Sequence, residues 1–94
     1  MIGVIAKLVI KPGTNAAFEA AMKPIVVKVR AEPGNKLYAL YKTPEDNGYI
    51  LFERYDDEAA LERHRASPHY EDLRLMLIEH LIARPDWQVM QEAL

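Results

Sequence analysis

The period of the apolar residues changes along the chain, and each change marks an element. Ile2 to Lys11 (IGVIAKLVIK) is dominated by Val, Ile and Leu, with Lys7 its only charge before Lys11. It reads as a strand that Pro12-Gly13 closes as a turn. Phe18, Met22, Ile25 and Val29 then recur at helical spacing, with Ala21 beside them. They predict a helix from an N-cap at Thr14 to about Ala31. Pro24 removes one hydrogen bond inside it and predicts a kink. Glu32-Pro33-Gly34 stops the helix. Asn35 to Thr43 and Gly48 to Asp56 read as two strands of an antiparallel hairpin, joined by the turn residues Pro44 to Gly48. In the second strand Tyr49, Leu51, Glu53 and Tyr55 share one face, and Ile50, Phe52 and Arg54 the other.

The rest of the chain turns helical again. Asp56 or Asp57 caps a short helix to about Arg65, with Glu58 in its first turn. Ser67 is a good N-cap and Pro68 a good first residue for a helix reaching Leu81 or Ile82. Tyr70, Leu73, Leu77 and Leu81 form its apolar stripe. Pro85 ends the segment, and Asp86 to Leu94 reads as a last strand with Trp87, Val89 and Gln91 on one side.

The order β-α-β-β-α-α-β predicts an α+β fold. It is the ferredoxin-like split βαβ arrangement, a four-stranded antiparallel sheet with helices on one face, as a single domain over residues 1–94. VIAKLVI, LYALY and YILF are apolar on both faces, and no helix remains to cover the second. A homodimer packed sheet against sheet is the simplest cover.

Composition narrows the function classes. The 94 residues are 50% hydrophobic and 28% charged, the usual balance for a globular protein. Without cysteine there is no thiol nucleophile, thiolate metal site or disulfide. The net charge of −2 comes with no basic block, so no nucleic-acid or anionic-membrane partner is expected. The apolar start lacks a basic leader, and no run approaches the ~20 apolar residues of a membrane span, so a soluble cytoplasmic protein is expected.

Candidate chemistry centres on LERHRASPHY, Leu61 to Tyr70. Ala60, Leu61 and His64 form the only apolar stripe of the short helix, so His64 points inward. Two readings stand: a satisfied core histidine, or a general base in a cavity between helices and sheet. His69 lies in the first turn of the next helix and reads as a bystander, because helical periodicity does not carry across the Ser-Pro break. For the same reason no metal site is expected from His64 and His69, and His80 suits a helix-dipole contact. Ser67 is explained by capping, and neither a nucleophile elbow nor a phosphate-cradling glycine loop is present. Glu53 is an acid in an otherwise apolar strand and needs a partner. That partner is either an arginine or lysine, or His64 across an aromatic-lined pocket for a flat, hydroxylated ring.

The start VIAKLVIKPGTNAAFEAAM, the central EPGNKLYALYKTPEDNGYILFERYDDEAALERHRASPHY and the last strand together resemble the antibiotic biosynthesis monooxygenase family of quinol monooxygenases. The most specific part is ERYDDEAALERHRASPHY, with an acid and an aromatic ending a strand, then Leu-x-x-His, then Ser-Pro-His. The resemblance implies a dimeric ferredoxin-like α+β barrel that oxygenates quinols, anthrones or related phenolic aromatics with dioxygen and without cofactor or metal. It casts His64 as base and Glu53 as the acid that tunes it. Tyr41, Tyr55, Tyr70 and Trp87 are candidate substrate-binding walls. Ala6, His64 and Arg74 stand where haem-degrading relatives carry asparagine, tryptophan and a haem-ligating histidine, which argues against haem chemistry. The alternative function is a non-enzymatic dimeric module that binds a small aromatic ligand or a protein.

Overall fold

A computed structural model describes residues 1–94. Its elements are β1 (Ile2–Val9), α1 (Asn15–Arg30), β2 (Asn35–Lys42), β3 (Gly48–Tyr55), α2 (Glu58–Arg65), α3 (Pro68–His80) and β4 (Asp86–Gln91). All strand pairs are antiparallel, in the order β2-β3-β1-β4, the ferredoxin-like arrangement expected from the sequence. No helix is long and apolar enough to cross a membrane.

The four stripe residues of α1, Phe18, Met22, Ile25 and Val29, are all buried. Thr14 occupies the N-cap, but its hydroxyl donates to the Lys11 carbonyl at 2.6 Å instead of capping the helix. Asp57 caps α2 by accepting from the Ala60 amide, and Ser67 caps α3 by accepting from the Tyr70 amide. The buried stripe of α3 is Leu73, Met76 and Leu77, with Leu81 just past its end; Tyr70 is only half-buried, because it faces a cavity. The last strand stops at Gln91, three residues short of expectation.

Pairing of Val4 with Glu53 and Ala6 with Leu51, continued to Tyr38 and Leu40, fixes the helix-facing side of the sheet. The core on that side splits in two. A large cluster including Leu8, Phe18, Met22, Leu51 and Leu77 lies under α1 and α3. A small one of Ile2, Val4, Tyr55, Ala60 and Leu61 lies under α2. Glu53 and His64, the two buried polar residues, fall at the seam between them.

Gly34 sets how closely α2 approaches. Its φ is +90°, and a Cβ there would stand 2.7 Å from the Ala60 Cβ. Gly34→Ala combines backbone strain with a clash and is expected to cost about 2–4 kcal/mol. A urea denaturation midpoint indistinguishable from the parent protein would refute this account of the turn.

Candidate active site

Three elements and one loop place the site. β3 carries Glu53 and Tyr55 two residues apart, so alternation puts them on the same face. The Tyr55 hydroxyl donates to Glu53 Oε1 at 2.6 Å. α2 carries His64 inward, 2% exposed, with Nε2 3.6 Å from Glu53 Oε1. Glu53 thus lies beside the histidine, and no arginine or lysine forms an ion pair with it. The His64 ring is enclosed by Tyr55 and Tyr70, each with its centroid 5.1 Å away, the latter edge-on.

The residue that the sequence reading missed is Glu32. The sequence places it only in the stop to α1, yet its carboxylate lies 3.0 Å from His64 Nδ1. The same carboxylate bonds His69 Nε2. His69, expected to be structural or exposed, thus holds Glu32 from a second side. Helical periodicity indeed does not join the two rings across Ser67-Pro68, but a carboxylate from another part of the chain does.

The bonding pattern fixes the protons. A carboxylate accepts, so each imidazole presents an N–H to Glu32. His64 therefore holds its proton on Nδ1, and a neutral ring leaves the Nε2 lone pair facing Glu53. Burial lowers the pKa of His64, against the opposing pull of Glu32. Burial likewise pushes Glu53 up to about 7, although the Tyr55 hydrogen bond and Arg65 pull it down. Near neutral pH the pair thus consists of an unprotonated imidazole nitrogen beside a carboxyl that exchanges its proton readily. The Tyr38 hydroxyl is buried without a partner, and burial followed by the Glu53 charge raises its pKa.

Glu32, His64 and His69 bring their donor atoms within 4.8 Å of one another, and two imidazoles with a carboxylate suit zinc or iron. A metal ion there would have to displace both hydrogen bonds to Glu32.

Glu53 and His64 open onto a cavity of about 210 Å³, which Val4, Leu61, Arg65, Tyr70, Trp87 and Val89 complete. A second cavity of about 340 Å³ between α3 and the approach to β4 shares Tyr70 and Trp87 with it. The two adjoin at these shared residues as a two-part cleft, with Glu53 and His64 lining its inner part. Tyr70 and Trp87 are walls of that cleft. Tyr55 is fully buried behind it and acts on Glu53 instead. Tyr41 does not reach the cleft: it lies on the opposite face of the sheet, 60% exposed, packed edge-on against Phe52.

The sequence model for antibiotic biosynthesis monooxygenase matches residues 1–74. "Putative monooxygenase Rv0793" of Mycobacterium tuberculosis is 37% identical over 84 residues, covering 89% of this chain and 82% of that one. The solved structure of Rv0793 matches this fold with a TM-score of 0.90, over 98% of this chain and 94% of that one. The fold is also that of SnoaB, a cofactor-independent oxygenase from Streptomyces nogalater, with a TM-score of 0.86 at 17% identity over 99% and 93% of the two chains.

Proposed function

Because the chain belongs to the antibiotic biosynthesis monooxygenase family, we propose that it is a cofactor-independent monooxygenase acting on a quinol, anthrone or related phenolic aromatic. One observation carries the reading: His64 Nε2 and Glu53 Oε1 stand 3.6 Å apart on the wall of an apolar cavity, while Glu32 holds the other face of the imidazole.

The chemistry follows from what these groups can do. His64 Nε2 takes a proton from the bound ring system and leaves an electron-rich carbanion or phenolate. The Nδ1 proton stays on His64, hydrogen-bonded to Glu32, whose charge stabilises the imidazolium. The anion passes one electron to dioxygen, and the radical and superoxide so formed join through a new C–O bond. The resulting peroxide takes the proton back from His64. Loss of water with the remaining C–H proton leaves a carbonyl: one oxygen atom enters the product and the other leaves as water. Glu53 accepts and returns protons beside the imidazole. The apolar walls keep bulk water from quenching the anion.

Dioxygen uptake with a small panel of hydroquinones and anthrones, in chelator-treated buffer, tests this reading. Uptake with one oxygen atom recovered in the product is expected. Absence of uptake across the panel, alongside saturable binding of the same compounds, would replace the enzyme by a ligand-binding module.

The reading includes a homodimer. Ile5, Val9, Leu37, Ala39, Ile50 and Phe52 form an apolar sheet face that no helix covers, with Tyr41 and Met90 at 60% and 44% exposure beside them. Sedimentation is expected to give a dimer. Phe52→Glu, which places a charge in that face, should weaken association about a hundredfold or more. A monomeric parent protein would count against the sheet-to-sheet interface.

A further inference from the structure

The charges lining the outer part of the cleft are of one sign. The outer cavity is walled by apolar groups such as Leu77, Ile78, Ile82 and Trp87, and its charged lining residues are Arg74 and Arg84, with no acid among them. Arg74 is held by Glu71 through two hydrogen bonds of 2.7 and 2.9 Å, so its charge is largely answered. Arg84 forms no ion pair. At the inner end Arg65 lines the wall beside Glu53, and the two charges offset each other in part. A chain of net charge −2 thus keeps one cation without an ion-pair partner, Arg84, at the outer end of an apolar cleft. Apolar walls hold water away and strengthen such charges toward a ligand.

We infer that the ligand of this cleft is an aromatic carboxylic acid, bound with its ring system between Tyr70 and Trp87 and its carboxylate at Arg84. This rests on the reading of the cleft as the substrate site, and it names the substrate class. Arg84 is the outer guanidinium free to take a carboxylate through its planar fork, and one free guanidinium answers one negative charge. The reactive ring is thereby directed toward His64, because Tyr70 and Trp87 line both cavities. The same arginines favour the substrate anion formed when His64 takes its proton.

Trp87 is the only tryptophan, so its fluorescence reports occupancy directly. Anthraquinone-2-carboxylate and its neutral carboxamide are matched in size and are already oxidised, so their binding is independent of any oxygenase activity. The carboxylate is expected to quench Trp87 with about tenfold higher affinity than the amide. Arg84→Ala should bring the two affinities within about twofold, the carboxylate losing far more than the amide. Equal affinities in the parent protein, or a preference that survives in Arg84→Ala, would overturn the carboxylate subsite. Quenching by neither probe would overturn it as well. A preserved preference for the carboxylate with no dioxygen uptake would remove the oxygenase reading and leave the subsite standing.

Discussion

His64→Ala is expected to lower kcat for dioxygen uptake by about 10²–10⁴-fold, leaving KM within a few-fold of the parent value. The step lost is the proton transfer, since no other side chain on the cavity wall offers an unprotonated imidazole nitrogen. Glu53 cannot substitute well. Its carboxyl holds its proton up to about pH 7, so it is a poor acceptor through much of the range where His64 is neutral. Alanine at this buried position also leaves a void and frees Glu32 from one of its two donors, so the variant could fail for structural reasons. His64→Gln, closer in volume and able to donate to Glu32 without serving as a base, separates the two. Circular dichroism and a normal denaturation midpoint would establish its fold. A correctly folded His64→Gln with parental turnover would dismiss the histidine as base.

The second large effect is one of stability. Glu53→Gln is expected to stabilise the protein at pH 8 by about 1–3 kcal/mol and to change it little at pH 4.5. The sign follows from proton counting. The Glu53 carboxyl keeps its proton up to about pH 7 in the folded chain, against an ordinary value of 4.5. Between those values the folded state binds more protons than the unfolded one, so stability falls as pH rises through that window. Above pH 7 the folded chain carries the whole cost of a buried carboxylate, relieved only in part by Tyr55 and Arg65. Glutamine keeps an oxygen for the Tyr55 hydroxyl and carries no charge to bury. His64 acts in the opposite sense. Its lowered pKa means that the unfolded state binds the extra proton, so stability is lost as pH falls below the ordinary histidine range. The parent protein should therefore be most stable on the acid side of neutrality, and Glu53→Gln should move that optimum upward. Thermal melts of both proteins from pH 4.5 to 9 measure this; parallel curves would show that Glu53 is not strained by its burial.

Much of the fold and half of the site were legible in local patterns. The stripe Phe18-Met22-Ile25-Val29, the inward turn of His64 beside Ala60 and Leu61, and the shared face of Glu53 and Tyr55 all follow from helical or strand periodicity. Periodicity speaks only within an element. Glu32 lies just beyond α1 and meets His64 at a separation of 32 residues, so no local period could announce it. Its one trace was an acid at a helix end, where a basic residue would suit the dipole better. The relation of His64 to His69 failed for the same reason, being mediated by that distant carboxylate. Tyr41 was misplaced because alternation puts Tyr38 and Tyr41 on opposite faces without saying which face meets the helices. Once the register is fixed, Tyr38, paired with Glu53, holds the helix-facing position and Tyr41 the other.

The last strand has a different kind of consequence. β4 is paired to β1 alone, and all six of its residues are exposed, yet Trp87 and Val89 form a wall of the cleft. Side chains that contribute so little to the core can be exchanged at small cost to stability, typically within about 0.5 kcal/mol. The stretch of cleft wall that β4 supplies is therefore separate from the core, unlike Leu73 and Leu77 of α3, which serve both. New specificities can accumulate along this strand by single substitutions while the proton-handling network on β3, α2 and the α1–β2 loop stays as it is, which makes β4 the place where such a scaffold can diversify.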